Sequence, residues 1–356
     1  MKITNPHYYD DFHCIAGDCP DTCCANWEVV IDPESKAFYE SVPGELGARL
    51  HEAMLELDGE TCFGLRNGLC VLLRPDGLCP IQAELGEEHL CRICGTYPRF
   101  STEIGLRREI GISLSCPEAA RLILTGDTPL RLHRETTDEP MTSFHELPAE
   151  LIVGMDRLRD AALKIAQDRA IAFPLRCAAV IRLCEPVQKT MRRPGRMGAA
   201  LSEGIQNAAE AAAPAQIGGL EHFRAALSGA LAPVEALRPE WKARLSRAAK
   251  APLEKTDWEA LCPEYPSLWE QLLCYGICKY FPRAVFDRNI HSAAVFAVTL
   301  PLLLRQLLQE DDDVLRLAWS LSRELEHSED NMKLLWDAFS RRPFRPDAVA
   351  AVFAAL

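Results

Sequence analysis

Apolar residues in the second part of the chain recur at helical intervals. Leu151, Met155, Leu158, Ala162 and Ile165 lie four and three positions apart, which puts them on one face of a helix. The same spacing appears at Trp269, Leu272, Leu273, Gly276 and Tyr280, at Val314, Leu317, Leu321 and Leu325, and at Met332, Leu335, Trp336 and Phe339. The helical period is expected to begin near Phe144, with Pro174, Pro214, Pro239, Pro266 and Pro343 dividing the region into separate helices. The Ala-rich stretch Gly198 to Ala215 is helix-prone, and Pro214 with Gly218-Gly219 suggests an internal boundary near 214–219. The longest apolar stretch, Ala293 to Leu304, is interrupted by Thr299 and Pro301; it is too short to span a bilayer and reads as a buried helix. No repeat of fixed period is present.

The front of the chain follows another pattern, with short elements separated by turns. Asp32-Pro33 has the signature of a helix start, and a helix to about Val42 is expected, with another over Leu46 to Leu57. Asn67-Gly68-Leu69-Cys70 and Asp76-Gly77-Leu78-Cys79 each set a tight turn just before a thiol, a geometry that can aim backbone N–H groups at sulfur. Pro80 to Leu85 reads as one helical run, Phe100 to Ser113 as a β-hairpin about Gly105, and Cys116-Pro117-Glu118 as the start of a helix through Leu124. The predicted fold is mainly α. A small Cys-rich, loop-rich metal-binding domain over 1–125, with a short β-hairpin, precedes an all-α helical body over 140–356.

Composition refines this picture. The 356 residues are 48% hydrophobic and 25% charged, ordinary for globular domains, and the formal charge of −12 argues against a nucleic-acid partner. The acidity is uneven: residues 1–120 hold 9 Lys/Arg against 20 Asp/Glu, so the front of the chain should attract cations. Met1 to Asp11 is polar and lacks the apolar core of a secretory signal, so a cytoplasmic protein without a membrane segment is expected. Nothing in the sequence sets an oligomeric state.

The informative residues are the cysteines. Ten of 15 lie in the first 116 positions, and in a reducing compartment such density points to metal rather than disulfides. Nine form a pattern: Cys14, Cys19, Cys23 and Cys24, then Cys70, Cys79, Cys91, Cys94 and Cys116. Soft anionic thiolates converge on a metal because the ion offsets their repulsion, and Cys91-x2-Cys94 lets one turn present two sulfurs to one centre. Cys116, next to Pro117 at a helix start, would have its thiolate favoured by the helix dipole. Structural zinc satisfies the same spacing. Cys62 falls outside the pattern and reads as packing, as do Cys177, Cys184, Cys262, Cys274 and Cys278 on apolar segments. No Gly-x-Gly-x-x-Gly, phosphate loop, Gly-x-Ser-x-Gly elbow or Cys-x3-Cys-x2-Cys loop occurs.

The run Phe12-His13-Cys14-Ile15-Ala16-Gly17-Asp18-Cys19-Pro20-Asp21-Thr22-Cys23-Cys24-Ala25-Asn26-Trp27 resembles the opening of the flagellin lysine-N-methylase family. So do Asp76 to Gln82, Leu85 to Glu88, Cys94-Gly95-Thr96-Tyr97-Pro98-Arg99 and Ser113 to Glu118, while Ser322-Arg323-Glu324-Leu325-Glu326-His327-Ser328 looks like that family's C-terminal motif. One departure is Gly95, where a basic residue is expected. The front pattern is partly shared with small cysteine-cluster proteins labelled iron–sulfur oxidoreductases. The resemblance implies methyl transfer from S-adenosylmethionine to lysine amines of flagellin, with a 4Fe-4S cluster held by four of the nine cysteines and zinc as the alternative metal. Its polar motif residues Tyr97, Arg99, Glu326 and His327 become catalytic candidates. The plainer readings are a packed tyrosine, a structural charge pair and a solvated helix end. A zinc- or cluster-stabilised interaction module and an electron-transfer protein are the competing functions.

Overall fold

A computed structural model describes residues 1–141, 146–210, 212–308 and 313–356. The expected onset of the helical period at Phe144 lies outside the described residues.

The front of the chain builds around a small apolar cluster that includes Val29, Ile31, Tyr39, Leu50, Phe63, Leu72 and Ile81. Strand β1 (Lys2–Pro6) comes first in the chain, and β2 (Val29–Val30) leads into α1 (Pro33–Ser41) and α2 (Gly44–Ala53). As the Asp-Pro pair predicts, Asp32 caps α1: its carboxylate accepts from the Ser35 N–H at 3.0 Å. It also accepts from the Arg92 N–H at 2.8 Å, so one side chain caps α1 and α3 (Arg92–Thr96) together. These bonds, that from Arg92 foremost, bring its pKa down to about 2. Asp32→Ala should therefore cost about 1–2 kcal/mol in urea unfolding at neutral pH. Because the folded pKa is depressed, the contribution is complete above roughly pH 4 and vanishes as pH falls through about 2, so the variant's deficit should shrink over that window.

The second expected helix ends early. Helix α2 stops at Ala53, and Met54–Leu57 is instead strand β3, paired antiparallel with β4 (Glu60–Phe63), which also pairs with β2. The reason is a partner just beyond the stretch: Asp58-Gly59 turns the chain with positive φ and returns β4 alongside. Next, β5 (Leu65–Arg66) and β6 (Leu69–Cys70) form a hairpin about Asn67-Gly68, both at positive φ. A Cβ on Gly68 would also lie 2.5 Å from the Asn26 Oδ1, so the turn needs glycine twice over.

The hairpin expected over Phe100 to Ser113 is present as β7 (Arg99–Ile104) and β8 (Arg107–Ile112), followed by α4 (Pro117–Leu124) with Cys116 as its N-cap. It does not stand alone. Strand β1 lies parallel to β8, and β9 (Leu132–Thr136) pairs antiparallel with β1, giving a four-stranded sheet of order β7-β8-β1-β9. Ile3 is the one strongly apolar residue of β1, and its ladder partners lie about a hundred residues away, so the local pattern carries no strand signal.

The body is helical, as expected: α5 (Ala149–Ala166), α6 (Phe173–Thr190), α7 (Met197–Ala209), α8 (Ile217–Leu231), α9 (Pro239–Lys250), α10 (Leu268–Tyr280), α11 (Ala284–Asp287), α12 (Ile290–Leu308), α13 (Val314–Glu326), α14 (Glu329–Phe339) and α15 (Pro346–Ala355). Helix α12 contains the predicted buried stretch. By length and composition it could cross a membrane, yet it is the core helix, packed by α6, α9, α10, α13 and α14. Helix α10 approaches it closely at Gly276, where a Cβ would lie 2.9 Å from the Ala297 Cα. The large apolar cluster extends from this body into Phe12, Ile104, Ile112, Leu114 and Cys116, so the hairpin and α4 pack on the helices. Of the five later cysteines, Cys177, Cys184, Cys262 and Cys274 are buried and Cys278 is half-buried.

Candidate functional site

Six of the nine patterned cysteines line one small chamber of about 30 Å³: Cys23, Cys24, Cys70, Cys79, Cys91 and Cys94. The remaining wall is apolar or aromatic, including Trp27, Phe63, Ile81 and Tyr97, with no charged side chain. Short elements deliver each thiol. The β5–β6 hairpin presents Cys70, whose N–H donates to the Cys24 carbonyl at 2.9 Å and holds the Cys23-Cys24 segment alongside. Cys79 precedes a wide helical turn over Ile81–Leu85, and Cys91 is the N-cap of α3, with Cys94 one turn on.

Four thiols share one local design. The sulfur of Cys70 accepts from the N–H groups of Leu72 and Leu73, that of Cys79 from Ile81 and Gln82, that of Cys91 from Ile93 and Cys94, and that of Cys116 from Glu118 and Ala119. Two amides, two and three positions onward, thus face each sulfur and favour its anion. The tight turns were expected to supply such donors; the donors come instead from the turns that follow the thiols. Burial opposes the amides. It pushes Cys70 and Cys79 up and takes Cys116 to about 11, so the helix start alone does not make Cys116 a thiolate. In the Cys91–Cys94 pair a shared hydrogen bond lowers Cys91 and raises Cys94, and Cys24 is lowered in the same way by Cys23.

Cys14, Cys19 and Cys116 lie outside the chamber wall. Cys19 is within electrostatic reach of Cys14 and Cys23, and Cys116 of Cys19 and Cys23, so Cys23 links the two groups. Among the described residues, no three Cys, His, Asp or Glu side chains are grouped as they would be around a metal ion. The thiols line the chamber rather than converge on a point. Their donor chemistry still suits a soft metal centre: six sulfurs, apolar walls and amide donors to three of the six.

A second polar assembly lies where α10 meets α13. Glu326 is not a solvated helix end: its side chain is 2% exposed and is paired with the Lys279 ammonium. It also accepts from the Tyr275 hydroxyl at 2.8 Å and the Tyr280 hydroxyl at 2.6 Å. Lys279 lies over the rings of Phe100, Tyr275 and Tyr280, at 5.2, 5.3 and 5.5 Å from their centroids. Lys279, Tyr280 and Glu326 in turn border a groove of about 930 Å³ between α10–α11 and α13–α14.

Two connections join groove and chamber. The Tyr97 hydroxyl, on the chamber wall, donates to Ser115 at 3.1 Å; Ser115 bonds Ser113 at 3.0 Å; and Lys279 reaches Ser113 at 3.4 Å. Burial pushes the Tyr97 phenol up to about 12, so it remains a donor at neutral pH. The second connection is Arg323, whose guanidinium donates to Asp21 at 2.8 Å and to the Ser115 carbonyl at 3.0 Å. It clamps the Cys19–Cys24 loop and the approach to Cys116 onto α13.

A family model described as the FliB lysine N-methylase C-terminal domain matches residues 159–351, more than half of the chain and all of the groove. The chain belongs to the FliB lysine N-methylase family. The lysine-N-methylases of Salmonella typhimurium and Salmonella choleraesuis are each 28% identical over 143 residues, which is 38% of this chain and 36% of theirs. The match thus spans about a third of those relatives' length. The flagellar biosynthetic protein FliU of Salmonella muenchen is 26% identical over 139 residues, covering 37% of this chain and 82% of that protein. No solved structure matches. Within this member of the family, the three charged residues of the C-terminal motif do different things. Arg323 holds the cysteine loops. Glu324, fully buried, accepts from the Leu237 N–H at 2.7 Å and from the Arg238 guanidinium at 2.8 Å. Glu326 faces Lys279.

Of the other sequence candidates, His327 is exposed on the groove rim, its Nδ1 2.8 Å from the Arg323 carbonyl oxygen. Arg99 donates to the Phe12 carbonyl at 3.1 Å and lies over the Phe12 ring at 4.9 Å, anchoring the segment before Cys14 and bordering neither chamber nor groove. Sequence reasoning missed Arg323, Tyr275 and Lys279. The available signal was Lys279 itself, a charge one position from Tyr280 at the end of an apolar stripe.

Proposed function

We propose that this chain is a cytoplasmic S-adenosylmethionine-dependent lysine N-methyltransferase acting on flagellin, with an iron–sulfur cluster seated among its N-terminal cysteines. The observation that carries the reading is that the family-matched helical body holds the Lys279–Glu326 assembly, which is linked to Tyr97 on the wall of the six-thiol chamber through Ser113 and Ser115. The relatives named lysine-N-methylase supply the reaction class, and the flagellar name of FliU supports a flagellar protein substrate. All 15 cysteines are free thiols, which suits a reducing compartment. A 4Fe-4S cluster uses four thiolates, and Cys70, Cys79 and Cys91 are ready donors because chamber placement and amide support coincide at each.

The test is anaerobic purification, with iron, sulfide and zinc quantified per chain and methyl incorporation into flagellin followed with labelled S-adenosylmethionine. About four irons with matching sulfide are expected, together with methyl transfer. Cys91→Ala should lose both metal and activity, whereas Cys14→Ala, an exposed thiol outside the chamber, should keep most of each. Zinc alone, without methyl transfer, would replace this reading with a zinc-stabilised interaction module. A reversible visible spectrum without transfer would point to electron transfer.

A further inference from the structure

The groove between α10–α11 and α13–α14 has a composition matched to one kind of side chain. Tyr280, Met332 and Trp336 give it apolar walls, and the Tyr280 and Trp336 ring centroids stand 5.5 Å apart. That is contact surface for a butyl chain and for a methylated ammonium. Its floor is the Lys279–Glu326 pair, and Glu326 retains one buried carboxylate oxygen, Oε1, with no hydrogen-bond partner among the described residues. A carboxylate oxygen so placed is costly unless a donor reaches it.

We propose that this groove receives the substrate lysine side chain and that Lys279 and Glu326 together deliver its amine in the neutral, nucleophilic form. The inference rests on the methyltransferase reading for its donor, a sulfonium methyl compound. Glu326 Oε1 is the acceptor for the incoming ammonium proton. Lys279 holds a fixed positive charge beside it, and a like charge at short range disfavours the protonated form of the arriving amine. The freed lone pair then forms the N–CH₃ bond as the C–S bond breaks. The electron pair of that bond stays on sulfur as a thioether, the product leaves as its methylammonium, and Glu326 returns the proton it accepted to solvent through the open side of the groove. Lys279 is thus a positioning and charge-setting residue, and Glu326 the proton acceptor. The charged groups facing this floor from the rim are Arg283, Asp287, His327, Glu329, Lys333 and Asp337. They bring both signs and three carboxylates, and on its other side Lys279 lines a small cavity with Glu109 and Arg159, which are paired with each other.

The experiment uses the full chain with its native metal content and two readouts. In the first, binding of a fluorescent lysine peptide is compared with that of its norleucine counterpart, which keeps the carbon chain and lacks the amine. The lysine peptide should bind roughly tenfold more tightly, and Trp336→Ala and Glu326→Gln should each remove most of that difference. In the second, kcat/KM for methyl transfer is followed against pH. Lys279→Met should move the acid limb upward by about one pH unit or more, with activity recovered at high pH, while Lys279→Arg should keep the limb in place. A lysine residue needed only for packing would lower activity at every pH, and arginine would not restore the profile. If methyl transfer proceeds while Trp336→Ala, Glu326→Gln and Lys279→Met leave peptide affinity and the pH limb unchanged, the groove assignment is wrong and the reaction stands. If the wild type transfers no methyl group yet binds lysine peptides through Trp336 and Glu326, the lysine site stands, and its use in methyl transfer falls with the reaction.

Discussion

Glu270→Ala is expected to destabilise the chain by about 3–5 kcal/mol, the cost of leaving a buried charge without its partner. Glu270 lies on α10 with its side chain 3% exposed and accepts from Arg176 at 2.9 Å and from Arg169 through two bonds at 3.0 Å. Arg169 is half in water and can re-solvate once the carboxylate is gone. Arg176 cannot: its side chain is 5% exposed, its one other bond is to the Ala166 carbonyl at 2.9 Å, and its Nε already lacks a partner among the described residues. The alanine variant thus strands a guanidinium between α6 and α10, under the helix that carries Lys279. Urea unfolding would show the loss as a lower midpoint. The double variant Glu270→Ala with Arg176→Met should recover much of it, since removing both charges also removes the desolvation penalty. A deficit below about 1 kcal/mol for the single change would mean that water reaches Arg176 in the folded protein.

The second large effect is expected from Arg323→Ala, at about 2–4 kcal/mol, together with loosening of the cysteine loops. Arg323 is 11% exposed, and its fork joins Asp21 on one loop to the Ser115 carbonyl on another, some ninety residues apart in sequence. Asp21 is 29% exposed, so part of the ion pair is screened and the expected loss is smaller than for Glu270. Lysine should not rescue it, because a single ammonium cannot reproduce the two-sided guanidinium contact. Hydrogen exchange should rise over residues 19–24 and 113–116 and remain unchanged in α12. Uniform protection in the variant would show that the loops are held without α13.

Some of this protein was legible because the relevant signals sit next to the elements they control. Asp32-Pro33 starts α1, Gly105 turns the β7–β8 hairpin, Cys116-Pro117 opens α4, and the three- and four-residue apolar intervals give α5, α10, α13 and α14. Each depends on a few neighbouring residues and on backbone preferences that act at once. Met54–Leu57 shows the limit of that reasoning: its composition suits the end of a helix, and a partner strand three residues away decides otherwise. Strands β1 and β9 show it again, since both take their place from ladders closed across roughly a hundred residues or more.

The sequence by itself determined the helical body, the cysteine-rich front and the thiol pattern. Only the tertiary structure decided which six thiols share a chamber, that Glu326 is buried against Lys279 rather than solvated, and that Arg323 binds the two parts together. The physical reason is range. Helix caps, turns and periodicity act within one or two turns of chain, whereas burial of a charge and its choice of partner depend on which distant surfaces meet. Those meetings are settled by the packing of α10, α12 and α13, whose contact residues look locally like any other apolar stripe.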